Sequence, residues 1–232
     1  MTSFNENNAA HPPVQEGTPS EQKSGGGTGC REGVMHGLDG SNRIADEPIR
    51  FQSRVRSAQS ENVWHNIRRW WLLRGVGHAG SGIHMDAGVH LMRYKANMTF
   101  GERVFFKEGA RVCAAQPDAV VHIGRNTTIG YHTYIFASSG ITIGNDCLIA
   151  PFCYLVDADH GIAAGKNINT QDMSARPIVI GDDVWLGARV TVLSGVHIGN
   201  GAVAGAGSVI NADVPDNVIV AGSPARIVGY RK

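Results

Sequence analysis

The chain has 232 residues, with 21 Lys or Arg against 20 Asp or Glu, so its formal net charge is only +1. This balance gives no support to a nucleic-acid partner, and none is expected. No apolar run is long enough to cross a bilayer, and the N-terminus lacks the basic-then-apolar pattern of a signal peptide. The four cysteines form no CxxC motif, so a reducing, cytoplasmic location is expected.

Residues 1–60 are rich in Asn, Gly, Ser, Glu and Pro, and their few apolar residues follow no period. A segment of this composition buries too little apolar surface to offset the entropy lost on ordering. We predict that residues 1–60 form a disordered N-terminal extension. The GGGTG run at 25–29 is not a phosphate loop, because no strand precedes it and no GK[ST] follows it.

The composition changes at Glu61, and residues 61–80 are predicted to contain an amphipathic helix. Ser60 is suited to cap its start and Gly75 to end it. One side of this helix carries its large apolar residues, which are Trp64, Ile67, Trp71 and Leu72. We expect that side to pack against the domain that follows. The alternative is a helix that makes weak contact with a membrane surface through the segment from Trp64 to Leu73.

A six-residue period dominates the chain from about residue 81 onwards. It is clearest between Ile178 and Ile210, where two columns of mainly apolar residues recur at every sixth position. The first column is Ile180, Leu186, Val192, Ile198, Ala204 and Ile210, and the second is Ile178, Val184, Val190, Val196, Ala202 and Ser208. This period fits neither an α-helix nor a β-strand, and it is typical of a β-helix built from hexapeptide repeats.

Glycine follows the first column at four positions, which are Gly181, Gly187, Gly199 and Gly205. We predict that these glycines allow corner conformations that other residues adopt only with strain. The period is interrupted near 115–119, near 138–140 and, for longest, from 156 to about 177. Insertions in a repeat array become surface loops, and a loop as long as the third is usually functional. After Val214 the period stops, which predicts a last strand and a tail.

The segment IGDDVWLGARVTVLSGVHIGNGAVAGAGSVINADVPDNVIVAGSPARIVGYR resembles the C-terminal half of hexapeptide-repeat acetyltransferases. These include maltose and galactoside acetyltransferases, streptogramin acetyltransferases and O-acetyltransferases of surface polysaccharides. The resemblance covers roughly residues 81–232 and implies an all-β fold, a left-handed parallel β-helix. It also implies a homotrimer with active sites between subunits and acetyl-CoA as donor. The acceptor would be a hydroxyl of a sugar, a surface polysaccharide or another small molecule.

The resemblance assigns the role of catalytic base to His160, in LVDADHGI, which opens the longest loop. Transfer of an acetyl group from a thioester to a hydroxyl requires a base for the hydroxyl proton, and imidazole titrates near neutrality. His160 would take this proton and pass it to the departing thiolate. Asp157 or Asp159 would orient the imidazole, although a loop carbonyl would serve equally well.

The resemblance also implies where the pantetheine arm of the donor lies. Trp185 matches a family Trp that lies along this arm, and its place beside the inward-facing Leu186 predicts that it points outwards. Ala188 and Ala206 match positions whose backbone amides bond the pantetheine. Asn211 stands where the family often has Thr, further along the arm.

The far end of the donor is implied by the AGSPARIV segment. Ser223 and Pro224, with the alanine that follows, would contact the adenine. Arg226 would face a phosphate of CoA, because a guanidinium matches phosphate geometry.

The acceptor side departs from the sugar acetyltransferases, in which an Asn and an Asp precede the catalytic His and contact the sugar. The matching positions are Gly130 and Ala137, so a free maltose-like or galactoside-like acceptor is not expected. The residues predicted to bind the acceptor, together with the loop 161–176, are Tyr131, His132, Tyr134 and Asp157.

Two alternatives use the same coil. A carbonic-anhydrase-like metalloenzyme requires three His ligands, but His84 and His90 are six residues apart and would occupy different sides of a coil. No metal is therefore expected. The second alternative is a non-catalytic β-helix that serves as a scaffold or assembly module, although such a module needs neither His160 nor Trp185.

Overall fold

The computed structural model describes residues 63–232, and the predictions made for residues 1–60 lie outside this range. The N-terminal element is helix α1 (Val63–Leu73), which falls within the predicted segment 61–80. Two short 3-10 helices occupy Lys95–Asn97 and Ile168–Thr170. All the remaining elements are β-strands.

Three sheets of parallel strands form the three sides of a β-helix, which we call sides A, B and C. Side A contains His78–Ala79 (β1), Met98–Phe100 (β4), Val120–Ile123 (β7), Gly140–Ile143 (β10), Ile178–Ile180 (β15) and His197–Ile198 (β18). Side B contains His84–Met85 (β2), Phe105–Phe106 (β5), Thr128–Ile129 (β8), Leu148–Ile149 (β11), Trp185–Leu186 (β16), Val203–Ala204 (β19) and Val218–Ala221 (β21), and ends with Arg226–Tyr230 (β22). Side C contains His90–Arg93 (β3), Arg111–Ala114 (β6), Tyr134–Ala137 (β9), Tyr154–Val156 (β12), Thr191–Val192 (β17) and Val209–Ile210 (β20). The chain visits the sides in the order A, B, C, so the coil turns six times before the partial turn that carries β21.

The lumen of the coil is the hydrophobic core. Every residue of the two predicted columns is buried, including the polar Ser208. The earlier coils add larger side chains to the same core, and Phe100 and Phe106 meet edge to face with ring centroids 5.1 Å apart. The predicted parallel β-helix is therefore confirmed.

The corner glycines serve a different purpose from the one predicted. A Cβ on Gly181 would lie 2.6 Å from Asn200 Oδ1, and a Cβ on Gly187 would lie 2.7 Å from the backbone nitrogen of Ala206. These glycines therefore let neighbouring coils approach closely. The left-handed backbone is adopted two residues later, by Asp183 with φ 55° and Arg189 with φ 60°.

Helix α1 contacts the first coil mainly through residues outside its predicted apolar side, together with Leu72 of that side. Arg68 and Arg69 donate hydrogen bonds to the carbonyl oxygens of Met85 and Ile83, and Leu72 and Leu73 pack against the core.

The other three residues of the predicted apolar side face outwards instead. Trp64, Ile67 and Trp71 are exposed, Trp71 to 65%. Gly75, with φ 84°, ends the helical segment as predicted. No helix within residues 63–232 is both long and apolar enough to cross a membrane.

The segment after Val214 contains the predicted last strand, β21, but the residues that follow it are not a free tail. Residues 226–230 form β22, which pairs antiparallel with β21 and closes side B. The long loop between β12 and β15 is also ordered at its base. It contains an antiparallel hairpin of Ala158–His160 (β13) and Met173–Ala175 (β14), in which His160 is paired with Met173.

Candidate active site

A continuous line of backbone follows the corner where successive coils turn from side B to side C. We call this line the B–C corner. It is joined from coil to coil by hydrogen bonds: Arg189 N–H donates to Pro151 O at 2.9 Å, and Gly207 N–H donates to Ala188 O at 2.8 Å. Within residues 63–232, the backbone N–H groups of Ala188 and Ala206 have no hydrogen-bond acceptor. Two successive coils therefore present free donors along one line.

At the C-terminal end, the B–C corner meets the turn between β21 and β22. Val209 exchanges backbone hydrogen bonds with Gly222 and Ala225, at 3.0 and 2.8 Å. This turn contains the exposed Ser223 and Pro224.

Two further predicted donor contacts are also exposed at this end. The guanidinium of Arg226 donates to the neighbouring carbonyl of Ala225 at 2.8 Å, and Asn211 follows β20. The predicted donor residues on this part of the chain thus lie at one end of the molecule.

At its other end, the B–C corner reaches a small apolar cavity of about 210 Å³, which we call the corner pocket. It is lined by Lys107, Thr128, Gly130, Tyr131, Leu148, Ile149, Ala150 and Pro151. The hydroxyl of Thr128 is buried and has no hydrogen-bond partner in the described part of the chain. Lys107 forms an ion pair with Asp86 at 3.6 Å. The pocket can thus take a mainly apolar guest.

The outer face of side B carries the predicted Trp185. Leu186 points into the lumen and Trp185 outwards, with half of its surface exposed, as predicted from their positions. The Trp lines a groove of about 560 Å³ together with Asp146, Leu148, Asp183, Val184, Val203, Ile219 and Arg231. Leu148 also lines the corner pocket, so the two cavities are neighbours.

Arg231 was not singled out by the sequence analysis. Its guanidinium bonds Asp183 Oδ2 at 2.9 Å and Gly201 O at 3.2 Å, which places a positive charge in the wall of the groove. In the sequence, Arg231 is visible as a basic residue, and in the structure it directly follows β22.

His160 lies at the end of β13 and is exposed. Its hairpin leaves the coil at the corner between sides C and A, because β12 belongs to side C and β15 to side A. In a three-sided coil this corner is opposite side B, which carries Trp185. The short distance in sequence from His160 to Trp185 therefore does not bring them together within one protomer.

The carboxylate of Asp157 is fully buried. It accepts hydrogen bonds from the backbone N–H groups of Ser138 at 2.6 Å and of Ser139 and Gly140 at 2.7 Å each. The predicted role of Asp157 in binding the acceptor or orienting the imidazole does not fit this position, because its oxygens are already occupied inside the fold. Asp159 points to the other face of the strand from the adjacent His160.

The other predicted acceptor residues are spread over two surfaces. Tyr131 lines the corner pocket. His132 stacks on Phe152 with ring centroids 5.4 Å apart. Tyr134 lies on the outer face of side C beside Tyr154, with ring centroids 5.8 Å apart. Desolvation raises the pKa of both tyrosines above 10.0, so their hydroxyls are protonated near neutral pH.

The histidines considered as metal ligands lie on different sides of the coil, as their spacing predicts. His84 is in β2 on side B, where it stacks on Phe105 at 4.7 Å between ring centroids, and His90 begins β3 on side C. Among residues 63–232, no group of three or more His, Cys, Asp or Glu side chains is arranged to hold a metal ion.

Known proteins share both the repeat and the fold. Residues 120–150 and 177–212 match the family described as "Hexapeptide repeat of succinyl-transferase". The chain is 34% identical over 145 residues to the lipopolysaccharide biosynthesis O-acetyl transferase WbbJ of Escherichia coli, an alignment that covers 59% of this chain and 74% of that protein. It is 39% identical over 108 residues to the galactoside O-acetyltransferase of the same organism, covering 47% of this chain and 53% of that protein. The chain thus spans about half the length of the second relative.

A solved structure matches over a longer range. The hexapeptide-repeat acetyltransferase VCA0836 of Vibrio cholerae has a TM-score of 0.53 and 28% identity, over 74% of this chain and 84% of that one. The same enzyme in complex with acetyl coenzyme A has a TM-score of 0.50 and 27% identity, over 72% and 78% of the two chains. The repeat, the three-sided coil and these relatives agree, and the chain belongs to the hexapeptide-repeat acetyltransferase family.

Proposed function

We propose that this protein transfers the acetyl group of acetyl-CoA to a hydroxyl of a glycan or a related small acceptor, with His160 as the general base. The observation that carries the proposal is the B–C corner. Its N–H groups at Ala188 and Ala206, which have no acceptor within residues 63–232, lead from the exposed end with Arg226 to the corner pocket. A bound extended amide would accept hydrogen bonds from both groups.

The donor lies along this corner. Arg226 and the turn with Ser223 and Pro224 hold the nucleotide end. An exposed guanidinium binds phosphate through two parallel charge-assisted hydrogen bonds. The pantetheine accepts hydrogen bonds from the N–H groups of Ala188 and Ala206. Its thioester end then reaches the part of side B where Leu148 separates the Trp185 groove from the corner pocket.

A complete site requires two neighbouring subunits. His160 leaves the coil at the C–A corner, opposite side B, and so it faces away from the Trp185 groove of its own chain. The hairpin of another copy would bring the His160 imidazole to the donor line. A closed ring in which each subunit gives its hairpin to the next satisfies every site, and we propose a homotrimer of this kind.

The chemical step is a proton-coupled acyl transfer. His160 removes the proton of the acceptor hydroxyl while the oxygen attacks the thioester carbonyl. The C–S bond then breaks, and the imidazolium returns the proton to the thiolate. The products are an acetyl ester and free CoA, so atoms and charge balance without a metal or a redox partner.

The corner pocket indicates the kind of acceptor. Its lining exposes apolar surface, and the hydroxyl of Thr128 is itself buried. An acceptor that presents a C–H face beside its reacting hydroxyl fits this lining, whereas a fully hydroxylated free sugar would leave its polar groups unpaired. The lipopolysaccharide function in the name of the relative WbbJ supports a glycan as the acceptor.

Mixing two inactive variants tests the proposal. His160→Ala should lower kcat by about 10²–10⁴-fold, while acetyl-CoA still binds. A second chain with Trp185→Ala and Arg226→Ala should lose donor binding. Reassembled at equal amounts, the two chains should recover roughly one quarter of the wild-type sites, because each site takes its hairpin and its corner from different subunits.

The controls use each variant reassembled with itself, which should stay inactive. If mixing restores nothing although mixed trimers form, the two halves of the site do not come from different subunits. A His160→Ala enzyme with near-normal kcat would remove the assignment of the base.

We also propose that helix α1 contacts a membrane surface. Its exposed face carries Trp64, Trp70 and Trp71, and the guanidinium of Arg74 lies 5.9 Å from the ring centroid of Trp70. Indole rings beside a cation suit the headgroup region of a membrane, because this region is apolar on its inner side and hydrated on its outer side. Sedimentation with anionic vesicles should bring down the protein, and Trp64→Ser with Trp71→Ser should abolish this. Equal sedimentation of both proteins would refute the contact.

A further inference from the structure

The hairpin that carries His160 is clamped to the coils on both sides of it. Its first strand follows Asp157, whose carboxylate holds the turn 138–140 of the preceding coil. Its second strand is followed by Arg176, which donates its backbone N–H to Asp157 O at 2.9 Å and accepts from Gly195 N–H of the next coil at 3.0 Å. The base of the hairpin is therefore fixed at two levels of the stack.

The three N–H groups that meet Asp157 form an anion-binding nest. Ser138, Ser139 and Gly140 are consecutive, and their N–H groups point at one carboxylate at 2.6–2.7 Å. Charge-assisted hydrogen bonds of this length are stronger than neutral ones and hold their geometry more tightly. Because the carboxylate is fully buried, water cannot replace it without a cost.

The same contact fixes the position of His160. Asp157 lies three residues before His160, and β13 joins them as an extended strand paired with β14. The imidazole is exposed and, within residues 63–232, no other side chain holds it, so its position depends on the base of the hairpin. A general base works only within hydrogen-bond reach of the proton that it removes, and small displacements reduce the rate steeply.

We infer that Asp157 is a positioning residue for the transfer reaction: its carboxylate locks the hairpin to the 138–140 turn and so fixes where His160 meets the neighbouring subunit. This inference rests on the proposed function of His160. Asp157 itself touches neither donor nor acceptor. Its effect should therefore appear in kcat and not in donor binding.

The test compares Asp157→Asn with Asp216→Asn. Asp216 also accepts a backbone N–H, that of Asn200 at 2.7 Å, but at the far end of the stack. Asp157→Asn keeps the shape of the side chain but places an amide N–H₂ group next to backbone N–H donors, so that hydrogen bonds are lost. We expect kcat to fall about 10–100-fold, with the KM for acetyl-CoA changed by less than about twofold. Asp216→Asn should leave both constants unchanged.

Chemical rescue separates positioning from general damage. In Asp157→Gly the nest is empty, and formate should occupy it and restore kcat at least several-fold in a saturable way. Formate should not rescue His160→Ala, and it should leave the kcat of Asp216→Asn unchanged. If Asp157→Asn alters KM for acetyl-CoA as much as kcat, or if formate gives no rescue of a correctly assembled Asp157→Gly trimer, the inference is wrong. A normal kcat in His160→Ala would instead overturn the proposed function, independently of the result with formate.

Discussion

Raising the pH should destabilise this protein through two buried thiols. Cys147 and Cys153 lie in the lumen, and their S–H groups donate to the carbonyl oxygens of Gly181 at 3.1 Å and Gly187 at 3.2 Å. Desolvation by burial raises the pKa of each thiol from 9.0 to about 11. The protonated form is thus favoured in the folded state.

The sign and size of the effect follow from the two pKa values. Between pH 9 and 11 the unfolded chain has lost these protons and the folded chain keeps them, so the free energy of unfolding falls as pH rises. Each thiol contributes stability that is fully present below about pH 9 and lost by about pH 11. By pH 10 the loss is about 1.4 kcal/mol for each thiol, since one pKa unit corresponds to about 1.36 kcal/mol.

Urea unfolding at pH 8 and pH 10, at fixed protein concentration, measures this loss. Other groups also titrate in this range, so the informative quantity is the difference between the two pH values in each variant. Cys147→Ala and Cys153→Ala should each reduce that difference by about 1.4 kcal/mol, whatever their effect at pH 8. Cys113→Ala is the control: burial raises its pKa, but the nearby Arg93 opposes this, so it should change the difference less. If neither lumen variant changes the difference, these thiols titrate as they do in the unfolded chain and the reasoning is wrong.

Three further outcomes are expected. Arg226→Ala should raise the KM for acetyl-CoA by at least about tenfold, as expected for loss of a charge-assisted contact of about 1.5–3 kcal/mol, with an unchanged acceptor KM in initial-rate assays. In urea unfolding, Leu73→Ala should lower the free energy of unfolding by about 1–3 kcal/mol, whereas Trp71→Ser should stay within about 0.5 kcal/mol, because only Leu73 contacts the core. Deleting residues 1–60 should leave Tm and CoA binding nearly unchanged, while deletion through Gly75 should lower Tm by removing α1; equal Tm values for the two truncations would contradict this.

The columns of the repeat could be predicted because they depend only on local geometry. Side chains alternate between the two faces of a strand, which places residues such as Ile180 and Leu186 in the lumen. The same alternation recurs in every coil. Trp185 was correctly placed outside for the same reason. The family resemblance then supplied the role of His160, which no local pattern contains.

The incorrect predictions concern side chains whose hydrogen-bond partners in the structure are backbone groups. The carboxylate of Asp157 accepts hydrogen bonds from three backbone N–H groups, and Arg68 donates to a carbonyl oxygen at the edge of side B. Backbone groups are the same at every position, so the sequence does not indicate which of them a side chain will bond. Periodicity alone therefore assigned Trp64, Ile67 and Trp71 wrongly to the coil, whereas Leu72 packs against the core as predicted. Distance along the chain does not indicate whether His160 and Trp185 are close, because a few residues in a three-sided coil lead to a different side.

The two ends of side B have a consequence for solubility. A stack of parallel strands is a template at both ends, since each terminal strand offers unpaired backbone groups to another chain. At one end, Arg68 and Arg69 cover the carbonyl oxygens of Met85 and Ile83. At the other end, β22 pairs in the opposite direction and interrupts the repeat. A second molecule therefore cannot add its strands to either end of side B in register. Although side B is a regular parallel sheet, the protein does not form a fibre through it at high concentration.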